Sequence, residues 1–101
     1  MNMEIARIIL EQIKAIDPWA LGAYGTQNLI SIPESIDYAG GLSFSVNGLN
    51  HQGTVFIHLK WTDEYKIVFV SNERVIVKEV DGVYCDMLVE VLDFIEIKET
   101  N

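Results

Sequence analysis

Few side chains in this sequence could act as a nucleophile and its base: one cysteine, Cys85, and two histidines, His51 and His58. A nucleophilic cysteine needs a base within hydrogen-bond reach and surroundings that lower its pKa. Strand alternation in "TVFIHLK" places His58 on a sheet face turned away from the helices, and His51 falls in a hairpin loop. Cys85 flanks the apolar face of a predicted helix, beside Leu92. We therefore expect a small buried thiol there, not a catalytic one.

The spacing of the histidines, acidic residues and glycines gives no better support for a metal site, a phosphate site or carboxylate catalysis. Two histidines seven residues apart and one distant cysteine match no structural zinc pattern, and the aspartates form no calcium loop. The glycines of "GAYG" and "YAGG" lack the lysine and the strand-to-helix context of a phosphate loop. Asp63 and Glu64 are adjacent, but they lie in a predicted hairpin turn, where acidic residues are common. The sequence predicts no catalytic residue, no metal and no cofactor; a cysteine-dependent enzyme is the alternative class.

Length and composition predict a small cytoplasmic protein. A chain of 101 residues is expected to form a single domain over residues 1–101. The lone cysteine cannot form an internal disulfide, and no apolar run approaches the roughly 20 residues that span a bilayer. The start "MNMEIARIIL" carries Glu4 and Arg7, which is typical of an amphipathic helix and not of a signal peptide. The net charge of −8 argues against nucleic acid binding by bulk electrostatics. Because no long apolar run is present, we expect no membrane partner.

The hydrophobic pattern predicts the elements that position these residues. Isoleucines at the 3.6-residue period predict a helix over 3–16, which Pro18 ends. Alternating segments separated by "NGLNHQG", "TDE" and "SNE" predict strands joined by hairpins. A second helix is expected over "VYCDMLVEVLDFIEI", capped by Asp81, with Tyr84 among the residues of its buried face. The fold class is therefore α+β: an antiparallel four- or five-stranded meander sheet, with N- and C-terminal helices packed on one face.

The two faces of this sheet receive different side chains. One face is expected to form the core beneath the helices: Leu42, Phe44, Val46, Val55, Ile57, Leu59, Trp61, Ile67 and Phe69. We also expect Trp19 and Leu21 to plug the end of that core. The other face is expected to hold Ser43, Ser45, Thr54, Phe56, His58, Lys60, Lys66, Val68, Val70, Arg74, Ile76 and Lys78.

That second face combines apolar residues with four of the seven basic residues of the chain, so we expect it to be locally positive. The candidate interface is Phe56, His58, Lys60, Val68, Arg74, Ile76 and Lys78. Three interpretations stay open at this point. It could be an ordinary solvated face, a contact surface for a protein partner or a second copy of the chain, or a single-stranded nucleic acid site with Phe56 as a stacking platform.

The predicted C-terminal helix carries an acidic stripe on the side away from its apolar face: Asp86, Glu90 and Asp93. Such a stripe is ordinarily solvated surface. It is also a candidate partner surface, in which a protein of net negative charge imitates nucleic acid toward a basic partner.

Four segments carry a resemblance to a known group: "ALGAYGTQNLISIP", "GGLSFSVNGLNHQG", "WTDEYKIVF" and "DGVYCDMLVEVLDFIE". Over roughly residues 20 to 96 the chain resembles small uncharacterised proteins of phages and mobile elements of gut bacteria. The resemblance implies a stand-alone accessory protein with no assigned activity, and no functional residues carry over. It adds weight to the interpretation in which the acidic stripe blocks a host protein.

Overall fold

Helix α1 spans Glu4–Ile16 in the computed structural model, which describes residues 3–97. Its buried residues lie three or four positions apart and so share one face of the helix: Ala6, Ile9 and Ile13. The helix ends where the sequence predicts, because Asp17 takes an extended backbone conformation before Pro18. The amphipathic N-terminal helix is therefore confirmed.

Five strands follow in chain order, each antiparallel to its neighbour: β1 (Gln27–Ile32), β2 (Tyr38–Asn47), β3 (Gln52–Lys60), β4 (Tyr65–Ser71) and β5 (Ile76–Val83). A one-turn helix, α2 (Ala20–Ala23), joins α1 to the sheet. The predicted meander is confirmed, with five strands. It differs from the prediction at two ends, since β2 begins at Tyr38 and β5 continues through Asp81.

The C-terminal segment is more broken than the sequence predicts. It consists of a 3-10 turn at Cys85–Met87, a short helix α3 at Leu88–Leu92 and a second 3-10 turn at Asp93–Ile95. Two expectations were wrong. Asp81 lies in β5 and cannot cap the helix, and Tyr84 is exposed because the chain reaches the core only at Leu88. Within residues 3–97 no helix is both long enough and apolar enough to cross a bilayer.

Helices α1 and α3 pack on the same face of the sheet, as predicted. Their buried side chains form one cluster with those of the strands, and its largest members are fully buried: Tyr24, Phe44, Phe69, Ile9, Ile13, Leu42 and Ile57. Two tryptophan expectations were wrong. Trp61 lies exposed in the β3–β4 turn, where its indole N–H donates to the Ser35 carbonyl at 3.2 Å, and Trp19 is exposed beside α2.

Two tyrosine hydroxyls hold the helical segments in place, one from the sheet and one from the end of α2. Tyr65 on β4 donates to Oε1 of Gln12 on α1 at 2.6 Å, and burial raises the pKa of Tyr65 to about 12. Tyr24 donates to Oδ1 of Asp93 at 2.9 Å, and burial together with this bond raises the pKa of Tyr24. Buried hydroxyls with partners in this way fix the helices against one face and leave the other free of them.

Candidate functional site

The face of the sheet opposite α1, α2 and α3, called the open face from here on, is crossed by rows of paired residues. One row runs from β1 to β5 through its centre: Ile30, Ser43, Phe56, Val68 and Glu79. A second row follows on β2 to β5: Ser45, Thr54, Val70 and Ile76. Alternation therefore places Phe56, Val68 and Ile76 on this face, as the sequence predicts.

An aromatic stack lies beside the central row. The rings of Tyr38 and His58 are nearly parallel, with centroids 4.4 Å apart, and the ring of Phe56 lies on the other side of His58 at 6.1 Å. The sequence did not predict Tyr38 on this face, because "ESIDYAGG" is typical of a loop that precedes the strand. A register shift between Tyr38 and Gly40 inserts one residue and turns Tyr38 to the open face. The aromatic residue just before "AGG" is the only signal that hinted at it.

The middle of the open face is a shallow depression of about 410 Å3. Its lining is mostly apolar and aromatic, with one charge of each sign: Tyr38, Phe56, His58, Lys66, Val68, Val70, Ile76 and Glu79. Ile76 and Ile30 remain 56% and 59% exposed. Val68, in the middle of the face, is only 9% exposed, and Phe56 is half-buried. Exposed apolar side chains with a polar rim are characteristic of contact sites.

The charges on the open face are paired, which the sequence analysis did not anticipate. Nζ of Lys60 lies 2.6 Å from Oδ1 of Asp81, and Nζ of Lys66 lies 3.3 Å from Oε1 of Glu79. The bond between them raises the pKa of Lys60 and lowers that of Asp81. Both acidic partners come from β5. Asp81 lies in the continuation of this strand that was not predicted, and the register shift between Phe69 and Val70 turns Glu79 to the open face. The expected positive face was therefore wrong, since the two lysines are neutralised by neighbouring carboxylates.

Two of the predicted interface residues do not belong to this face. Lys78 pairs with Phe69, a core residue, because a register shift between Phe69 and Val70 inserts Val77. Its ammonium group lies 4.8 Å from the centroid of the Phe94 ring, on the helix side of the sheet. Arg74 lies in the β4–β5 turn with φ of 65°, outside any strand, so alternation assigns it to neither face.

The surroundings of His58 favour its neutral form. Its Nδ1 atom is buried without a hydrogen-bond partner. Burial, followed by the positive charge of Lys66, lowers the pKa of His58. The imidazole is consequently neutral near pH 7 and contributes a flat aromatic surface to the depression, not a cation.

The nucleophile candidate is placed differently from the prediction. Cys85 is exposed, so the expected buried thiol was wrong. The reason is the same continuation of β5 that leaves Tyr84 outside the core. His51 is buried with its ring edge-on to Phe69 at 5.6 Å, and burial lowers its pKa. Nor does any group of three or more His, Cys, Asp or Glu side chains within residues 3–97 form a possible metal site.

The predicted acidic stripe is divided among three short elements. Asp86 lies in the first 3-10 turn and Glu90 in α3, and both are exposed. Asp93 lies in the second 3-10 turn, half-buried, where its carboxylate accepts the hydrogen bond from Tyr24. Asp93 therefore has a structural partner, and the role of the stripe as a partner surface stays a prediction.

Comparison with known proteins adds no relative: no family model, no curated protein and no solved structure matches this chain. Its function has to be inferred from the geometry of its own surfaces.

Proposed function

We propose that this chain is a non-enzymatic protein-binding domain, and that a second copy of the chain binds to its open face. The observation that carries the proposal is the uncovered apolar depression around Phe56, whose neighbouring charges are already paired. A partner that covers this depression buries apolar surface and leaves no charged group buried without an ion pair.

The size of the face sets the strength of the expected contact. Five strands about 4.8 Å apart, over roughly six residues at about 3.3 Å each, give a face of about 400 Å2 per copy. Two such faces bury roughly 800 Å2, which is below the roughly 1,200–2,000 Å2 of stable specific interfaces and in the range of weak, transient contacts. After the costs of association, we expect a reversible dimer with a dissociation constant on the order of 10–1000 μM.

Charge favours a second copy as the occupant. Two chains of net charge −8 repel each other over most of their surfaces. On the open face, by contrast, Lys60, Lys66, Glu79 and Asp81 sum to zero. A two-fold contact between two such faces brings no excess of like charge together, and each copy offers the other both signs at the rim.

The same pairing disfavours the nucleic acid interpretation. Phosphate recognition needs lysines or arginines that are free to replace counterions. On the open face the two lysines already bind carboxylates. In the alternative proposal the chain imitates nucleic acid toward a basic partner, and it would do so through Asp86 and Glu90, which are exposed. An accessory role in a phage or mobile element is compatible with either proposal. We place the protein in the cytoplasm because Cys85 has no partner for an internal disulfide.

The proposal is tested by sedimentation equilibrium over a concentration series to about 1 mM. Phe56→Glu and Ile76→Glu each place an unpaired charge in the contact, so we expect each to raise the dissociation constant at least tenfold, about 1.4 kcal/mol. Ile76 is the safer site, because its side chain is largely exposed.

Ile36→Glu is the matched control. Ile36 is 93% exposed in the β1–β2 loop, so the same change there should leave self-association intact. Circular dichroism confirms that each variant is folded. A wild-type chain that stays monomeric near 1 mM, or an Ile36→Glu variant that dissociates equally, contradicts the proposal.

A further inference from the structure

The two edges of the sheet are protected to different degrees. The edge strand β5 carries Lys78, Glu79 and Asp81, and two register shifts against β4 distort it. Charges and bulges of this kind prevent pairing with another chain. The edge strand β1 carries no charged side chain. It has one irregularity, between Gln27 and Ile30, and its pairing with β2 is regular over Ile30–Ile32. An unprotected edge is a liability unless something is meant to pair with it.

The outer side of β1 is open for such pairing. β1 stands at the end of the strand order, with β2 as its only neighbour in the sheet. Within residues 3–97, no backbone hydrogen bond other than those between paired strands involves Leu29, Ile30, Ser31 or Ile32. The backbone N–H and C=O groups that point away from β2 therefore remain available to an added strand.

A groove runs alongside this edge, between α1 and β1. Its volume is about 600 Å3, and it is lined by Met3, Glu4, Ala6, Arg7 and Leu10 from the helix side and by Leu29, Ser31 and Leu42 from the sheet. Leu29 and Ser31 are alternate residues of β1 and face the groove, whereas Ile30 faces the open side opposite Ser43. A strand added to β1 would place its own alternate side chains over the same groove.

The polar groups of the groove indicate what those side chains would meet. Arg7 is exposed at the rim, and no carboxylate described in residues 3–97 forms an ion pair with its guanidinium. Oγ of Ser31 is buried without a hydrogen-bond partner. In a chain with 15 acidic and 7 basic residues, a cation without an ion pair beside an apolar groove favours a ligand that carries a carboxylate.

We infer that the groove between α1 and β1 binds an extended apolar peptide segment of a partner protein, which adds to β1 as a sixth strand. Backbone hydrogen bonds to Leu29–Ile32 supply the pairing, alternate apolar side chains fill the groove, and an Asp or Glu of the peptide binds Arg7. This site is separate from the open face, so the inference does not depend on self-association.

The test begins with a library of random seven-residue peptides displayed on phage and selected against the full chain. We expect enriched peptides with apolar residues at alternate positions and an acidic residue. Synthetic copies are then measured by calorimetry against three chains. Leu29→Glu should weaken binding at least tenfold, and Arg7→Glu should weaken it several-fold and reduce its salt dependence. The control Ile36→Glu, in the exposed β1–β2 loop outside the groove, should bind as the wild type does.

Strand addition has its own readout. Methylating alternate backbone nitrogens of the peptide keeps its side chains but removes donors, and we expect one of the two methylation patterns to abolish binding. Amide exchange followed by NMR should slow at those β1 amides that do not bond to β2.

Three outcomes overturn the inference. The first is that no peptide is enriched, or that Leu29→Glu binds the enriched peptides as well as the wild type does. The second is that dodecanoate, an apolar carboxylate, binds in the groove while peptides do not. The third is that the open-face variant Phe56→Glu remains a dimer and dissociates only when Leu29→Glu is added, which makes a second copy the occupant of the edge. Loss of dimer in Phe56→Glu with retained peptide binding supports both proposals separately.

Discussion

Two phenylalanines on adjacent strands of the same sheet illustrate how differently its two faces are used. Phe69 on β4 is fully buried beneath the C-terminal segment, with the Phe94 ring 4.8 Å away and His51 edge-on at 5.6 Å. Phe56 on β3 is half-buried, with His58 and Val68 of the open face beside it. The same side chain is fully buried in one position and half-exposed in the other, because the helices cover only one side of the sheet.

The largest expected effect comes from truncating the two rings. Phe69→Ala leaves a cavity among fully buried side chains, and we expect it to lower the free energy of unfolding by about 3–5 kcal/mol. Phe56→Ala removes a ring that water partly reaches, and we expect a loss of about 1 kcal/mol in the monomer. Urea denaturation at low protein concentration measures both. Similar losses for the two variants would mean that the open face is as much a core as the covered one.

The two histidines sharpen the same comparison through pH. Burial lowers the pKa of His51 on the covered side, and burial and then Lys66 lower that of His58 on the open side. A folded pKa below the unfolded value of about 6.5 means that the unfolded chain binds the proton more readily. The stabilisation from the neutral rings is therefore complete above pH 6.5 and is lost as pH falls below it.

Urea denaturation at steps between pH 8 and pH 5 measures this dependence. His58→Gln and His51→Gln should each flatten the slope below pH 6.5. Self-association should also weaken as the pH falls through this range. Of the two histidines only His58 lies in the proposed contact, so His58→Gln should remove the pH dependence of association and His51→Gln should not. If both variants keep the wild-type slope, the titrating groups lie elsewhere.

The smallest effect is expected from one rim charge. Glu79→Gln leaves Lys66 without its partner, and a surface pair of this kind contributes about 0–1 kcal/mol to folding. Self-association should suffer more, because an unpaired lysine then enters the contact from each copy. Glu73→Gln, in the exposed β4–β5 turn, is the control with the same charge change. Equal association of the two variants would show that the rim pair plays no part.

Most of the fold could be predicted from the sequence, since periodicity is a local property. The isoleucines of α1 and the alternation of β2 to β4 require only the spacing of apolar residues. Errors arose where one extra residue changes the parity. The bulges at Ala39 and Val77 turn Tyr38 to the open face and Lys78 to the covered one, and neither residue type marks a bulge in advance.

The apolar residues of the candidate site could be predicted from the sequence, but its two ion pairs could not. Phe56, Val68 and Ile76 follow from alternation alone. The pairing of Lys60 with Asp81 depends on β5 continuing past the point at which a helix cap was expected. The pairing of Lys66 with Glu79 depends on the register shift that inserts Val77. The edge groove was missed altogether, because it is formed by α1 and β1, which no local pattern relates to each other.

The sequence by itself determined which segments are helix and strand and that the sheet has two chemically different sides, because backbone periodicity is written in neighbouring residues. Only the tertiary structure decided which charges meet, which edge stays unprotected and where a groove opens. Those features depend on distances between residues far apart in the chain, and a single inserted residue is enough to reverse them.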